Sequence, residues 1–102
     1  MYSTLALTCF LSFVDATLTI HVDKEAKSVV TAHIFDNQNA TYNDLYLNVN
    51  ELTEESLKLS GTSSQDSSLV SVDVDMHGDF RWGTTRMQYG HQHETLSCFV
   101  SN

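Results

Sequence analysis

Val70-Ser71-Val72-Asp73-Val74-Asp75-Met76-His77 alternates apolar and polar side chains without a break. Successive side chains of an extended chain point to opposite faces. Val70, Val72, Val74 and Met76 therefore share one face, and Ser71, Asp73, Asp75 and His77 the other. This is the period of a half-buried strand. It also selects the sheet type: an antiparallel sheet can bury one face and wet the other, whereas a parallel sheet is apolar on both.

Working outward, the same period recurs along the chain. Leu57 and Leu59 precede a Ser-rich loop at 60–68, and Leu45, Leu47 and Val49 alternate with Tyr46 and Asn48. Leu18, Ile20 and Val22 lead through the polar run 23–27 to Val30, Ala32 and Ile34, a predicted hairpin. With Val22 opposite Val30, His21 faces Thr31 and His33 faces Thr19, all on the outer side. Toward the C-terminus come Phe80 and Trp82, then Met87 and Tyr89, then a last strand over 95–101. Segment 51–56 reads as one helical turn. No stretch sustains a helical period. The expected fold is all-β, an antiparallel sandwich or small barrel of about seven short strands, eight if the N-terminal segment joins.

Residues 1–16 have two readings. Leu5 to Val14 is a short uncharged apolar core, with Val14 and Ala16 at the −3 and −1 positions of a cleavage after Ala16. That is the layout of a secretory signal peptide, although no Lys or Arg precedes the core. It is too short for a membrane-spanning helix. On this first reading residues 17–102 are a single β domain, Cys98 is alone, and it is either buried or joins two chains in a disulfide-linked dimer. On the second reading Leu5, Leu7, Cys9, Leu11 and Phe13 are the inner face of another strand, spoiled on its polar face by Phe10 and Val14. Cys9 and Cys98 can then bridge the two ends of the domain.

The 102 residues suit one domain with a modest core. The formal charge of −8 repels nucleic acid and anionic membrane, and no Lys/Arg-rich run is present. Proline is absent, so the turns fall to Gly, Asn, Asp and Ser.

Several residues are candidates for chemistry. Asn39-Ala40-Thr41 is a glycosylation sequon in a polar loop. Asp73, Asp75 and His77 project from one strand face, and His91 and His93 share a side if extended; together they are the candidate ligands for Ca²⁺ or a transition metal. The acid that a Ca²⁺ loop beginning at Asp73 needs at its twelfth place is replaced by Thr84. Trp82, Tyr46 and Tyr89 offer rings on which sugars or protein partners stack, with Arg81 as a charged anchor. No nucleophile motif, phosphate loop or cofactor motif is present, so no enzyme activity and no cofactor are expected.

The leading functional expectation is a secreted, acidic binding module that recognises a carbohydrate or protein partner through a β surface or loops. The alternatives are a metal-binding protein using Asp73, Asp75, His77, His91 and His93, and an intracellular acidic inhibitor that mimics nucleic acid.

Overall fold

A computed structural model of the chain describes residues 4–11, 14–76 and 82–101, with backbone alone at 76, 82, 83 and 101. Eight strands follow one another: β1 (Thr4–Leu11), β2 (Ala16–Asp23), β3 (Ser28–Asp36), β4 (Thr41–Leu52), β5 (Ser56–Ser63), β6 (Leu69–Met76), β7 (Trp82–Tyr89) and β8 (Gln92–Ser101). Each pairs antiparallel with the next, and β8 returns to pair with β1, so the sheet is a closed up-and-down barrel. Closure removes the unpaired edges that an open sheet would present. Of the two expected architectures, the barrel is the one adopted, and the eighth strand is the N-terminal segment.

The alternation explains the packing. Leu7, Leu18, Ile20, Val22, Leu57 and Val72 point inward and are sealed from solvent. An eight-stranded barrel is just wide enough for side chains to fill. A void able to hold water against these residues would give them accessible surface, and they have none.

Cys9 and Cys98 face each other across the β1–β8 seam and form a disulfide, both fully buried. No cysteine is free. The expected intermolecular bridge through Cys98 is therefore corrected: its partner lies in the same chain. The β1–β8 ladder holds four pairs, from Ala6–Ser101 to Cys9–Cys98. It is the seam whose two strands no hairpin turn joins.

Two local expectations are also corrected. Val22 pairs with Val29, because the register shifts next to His21 and leaves Val30 bulged outward and 61% exposed. A bulge puts two residues opposite one and flips the phase beyond it. The pairs His21–Thr31 and His33–Thr19 are as expected. Segment 51–56 is not helical: β4 runs to Leu52 and β5 starts at Ser56. Thr53 closes the link instead, its N–H donating to the Ser56 carbonyl (2.8 Å) while its Oγ1 accepts from the Glu55 N–H (3.2 Å).

The turns share one device. Asp23 Oδ1 accepts from the N–H groups of Glu25 and Ala26, and Asp36 Oδ1 from those of Gln38 and Asn39. Each turn then ends in a left-handed residue, Lys27 (φ 51°) or Ala40 (φ 53°); Ser67 (φ 59°) does the same in the β5–β6 turn. Hydrogen bonds from Asn39, first its side-chain amide and then its backbone, hold the Asp36 carboxyl below its ordinary value of 3.8. Left-handed backbone crowds a Cβ. Ala40→Gly is accordingly expected to raise stability by about 0.5–1 kcal/mol, read from urea unfolding, because the relief exceeds glycine's entropic cost.

Among the described residues two inward side chains, Ser63 and Thr85, break the apolar pattern, and of these Ser63 is hydrogen-bonded to Asn43. Thr85 is fully buried on β7 and its Oγ1 has no hydrogen-bond partner. Thr85→Val keeps the shape and removes an unsatisfied hydroxyl, so it is expected to stabilise the barrel by about 1 kcal/mol. Unfolding curves showing a loss instead would mean that the hydroxyl is satisfied in solution.

Candidate functional site

With the interior filled, ligand or partner chemistry has to use the outside of the barrel. Its two halves differ. On β1–β4 the outward positions carry rings. Phe10, Thr17, Phe35 and Tyr42 form one cross-strand row. Phe10 is 66% and Tyr42 67% exposed. The rings of Phe35 and Tyr42 lie 4.8 Å apart, and His33 meets Tyr42 edge-on at 5.0 Å. Phe99 is also exposed and sits opposite Thr8 on the adjoining seam.

Tyr42 also borders a crevice of about 180 Å³ at the end of the barrel, with Val14, Ile34, Asp36 and Gln65. That end is tied together by side chains. Asn43 Nδ2 donates to the Tyr89 hydroxyl (3.1 Å), and Ser63 Oγ donates to Asn43 Oδ1 (2.9 Å). The Tyr89 phenol reaches Ser63 Oγ at 2.9 Å and Asp66 Oδ1 at 3.0 Å. It has one proton to give, and a carboxylate is the stronger acceptor. The Asp66 carboxyl is held below its ordinary value of 3.8, first by the Ser68 backbone N–H. Asn37 joins the neighbouring turn by donating to Asp15 Oδ1 at 3.0 Å.

The opposite wall, β5–β8, is polar. Two adjacent cross-strand rows, Ser71–Gln88–His93 and Asp73–Arg86–Thr95, line a groove of about 450 Å³. It adjoins a second hollow of about 410 Å³ that shares Ser71 and Gln88 and extends over Thr62 and the exposed Leu69. Charges such as Asp44, Lys58, Asp73 and Arg86 stand in the strands with outward-facing side chains. Lipid-facing barrel walls exclude such charges. Among the described residues, no helix is long and apolar enough to cross a membrane.

The sequence-derived candidates are scattered rather than gathered. Tyr46 is 65% exposed on β4. Tyr89 is spent on the network at the barrel end. Trp82 pairs in register with Phe99, three strands from Tyr46. Arg81 and His77 lie outside the described residues. Asp73 and Asp75 stand on β6, His93 on β8 and His91 in the β7–β8 turn. Asp73 and His93 are two strands apart, about 10 Å around the barrel, and two residues apart along it, about 7 Å. Arg86 stands beside Asp73 and competes with any cation there. Among the described residues, no three His, Cys, Asp or Glu side chains are placed to share an ion. Asn39 sits in the exposed β3–β4 turn, where its Nδ2 donates to Asp36 Oδ2 at 2.9 Å.

Phe10 and Phe35 had a signal in the sequence: each occupies the polar phase of its own alternation. What the alternation lacks is the register that brings Phe35 against Tyr42. No protein family, curated protein or solved structure matches the chain.

Proposed function

We propose that the protein is a binding module of an oxidising, extracellular compartment, and that it engages a protein partner through the ring-bearing wall of β1–β4. The observation that carries this reading is the exposure of Phe10 and Tyr42 on a wall whose core is already complete. Rings left in water serve neither the core nor the sheet ladder. Aromatic anchors beside a small pocket are what protein interfaces are built around. The crevice at Tyr42 offers such a pocket. The disulfide supports the compartment, because structural disulfides persist where glutathione does not reduce them.

The compartment also bears on the N-terminus. Cleavage after Ala16 would remove β1 and Cys9 together, leaving seven strands and an unpaired Cys98. Intact mass and N-terminal sequencing of protein from an exporting eukaryotic cell distinguish a retained β1 from a removed leader. Added mass at Asn39 in the same experiment would place a glycan on the exposed β3–β4 turn.

The test of the binding wall is the double variant Phe10→Ser/Tyr42→Ser. Both side chains are exposed, so unfolding should change little. Capture from extracellular fluid is expected to recover a protein with the parent chain and to lose it, by roughly 30-fold or more, with the variant. Equal capture by the two would sink the reading.

A further inference from the structure

We propose that the groove over β5–β8 is a saccharide site, in which Asp73 and Arg86 grip neighbouring hydroxyls of a neutral sugar. This site is separate from the ring-bearing wall and does not rest on it. β2 and β6 are four places apart in a ring of eight strands, so the two faces point in opposite directions.

The geometry begins with a pair that does not close. Asp73 and Arg86 are directly opposite across β6–β7. Side chains so placed are normally within reach of each other. Yet among the described residues the one ion pair is Lys58–Glu51, and neither Asp73 nor Arg86 has a side-chain partner. A carboxylate that only accepts and a guanidinium that only donates are thus both held open in one groove. A hydroxyl is donor and acceptor at once, so two adjacent hydroxyls satisfy both groups without adding charge. Ser71, Thr95, Gln88, His93 and Glu94, with Met87, complete a lining whose polar members can bond further hydroxyls from either side.

Charge selects the ligand's class. Asp73 and Arg86 offset each other, Glu94 leaves the groove with one net negative charge, and the chain as a whole carries −8. A polyanion is repelled by the whole molecule, and a simple cation meets Arg86. A neutral polyhydroxyl ligand incurs neither cost.

The apolar end of the groove fits the same ligand. Tyr46, Thr62 and Leu69 form one cross-strand row, and Thr62 and Leu69 line the second hollow. Tyr46 is 65% and Leu69 72% exposed. A pyranose is hydroxylated at its rim and carries C–H groups on its faces. Aromatic and aliphatic side chains take those faces, as amphipathic rings do at wet interfaces. The groove passes from this apolar end to the Asp73–Arg86 end through Ser71 and Gln88, a run suited to more than one sugar unit.

The experiment is an amide NMR titration of the oxidised full chain with cellobiose, lactose and maltose. Shifts confined to β5–β8 and to Tyr46 on the adjoining β4, with a Kd on the order of 1 mM for at least one disaccharide, are expected from a shallow site of this size. Asp73→Ala and Arg86→Ala should each weaken that binding by about fivefold or more, the loss of a charged hydrogen bond. Tyr46→Ala should weaken it without changing the shifts at Arg86. Phe10→Ser/Tyr42→Ser should leave it intact, which separates failure here from failure of the protein-binding wall. Three results would overturn the proposal: no shifts with any of the three sugars, shifts centred on β1–β4, or an unchanged Kd in both charge variants. A groove that responds to trialanine and not to the sugars would also overturn it, in favour of a peptide ligand.

Discussion

Replacing Cys9 and Cys98 together by alanine is expected to lower the free energy of unfolding by about 4 kcal/mol, within a range of roughly 2–5. The bridge spans a sequence separation of 89 and closes almost the whole chain. Loop-closure entropy for a loop of this length predicts roughly 4–5 kcal/mol. Native stability of a domain is only about 5–15 kcal/mol, so this one bond is a large part of it. The melting temperature should fall by roughly 15–30 °C. Topology makes the site sensitive. Seven seams join strands that follow one another in the chain, and each short connection keeps its strands close when the ladder frays. Among the described residues the β1–β8 seam has four residue pairs, the shared core and the disulfide to hold it. Hydrogen exchange should therefore show β1 and β8 losing protection first in the double variant. Reduction of the parent chain under denaturing conditions, followed by refolding with reductant present, should reproduce the variant's stability. A difference below about 1 kcal/mol between oxidised and variant chains would show that core and ladder hold the seam by themselves.

Gly61→Ala is the second large effect, and its sign opposes propensity. A glycine inside a strand costs roughly 0.5–1 kcal/mol relative to alanine, so composition alone predicts a gain. The structure predicts the reverse. Gly61 pairs with Leu47 on β4, and a Cβ added to it would overlap the Tyr46 carbonyl oxygen. It would also lie 2.7 Å from the Tyr46 carbonyl carbon and 3.0 Å from the Leu47 Cα. All three are backbone atoms, so no rotamer change relieves the clash. The strands must part, and their ladder with them. A loss of about 4 kcal/mol or more is expected, at the extreme of single substitutions. Gly90→Ala is the control: its added Cβ meets only Ser68 side-chain atoms, at 3.7 and 3.9 Å. Its left-handed φ of 60° limits the cost to about 1–2 kcal/mol. Equal effects at the two glycines in chemical denaturation would refute the close approach of β4 and β5.

The balance of what was legible follows from the range of each signal. Val70, Val72 and Val74 announce an inward face because neighbours two apart share it, and all three are buried. Leu18, Ile20 and Val22 do the same. Val30 misleads because a bulge is a two-strand event: the extra residue is defined by its partner strand, not by its own neighbours. Segment 51–56 misleads because Thr followed by two Glu resembles a helix start, yet Thr53 caps a hairpin equally well. Tyr46 was readable as exposed from its place in the alternation. Tyr89, read as a ring open to partners, turns out to be committed to Asn43, Ser63 and Asp66, residues 23 to 46 positions away. Asp73 and His93, paired on paper as metal ligands, are separated by β7 and by Arg86.

The chain by itself determined that the protein is all-β, that its strands run antiparallel, and which face of most strands is buried. Each of these depends on residues two apart, and local alternation carries it. The tertiary structure alone decided that the sheet closes, that Thr4–Leu11 completes it, that Cys98 bonds to Cys9, and that Asp73 faces Arg86. Those facts depend on residues tens of positions apart meeting in register. A one-residue slip would send every side chain to the other face, and no local pattern records which register the closed barrel takes.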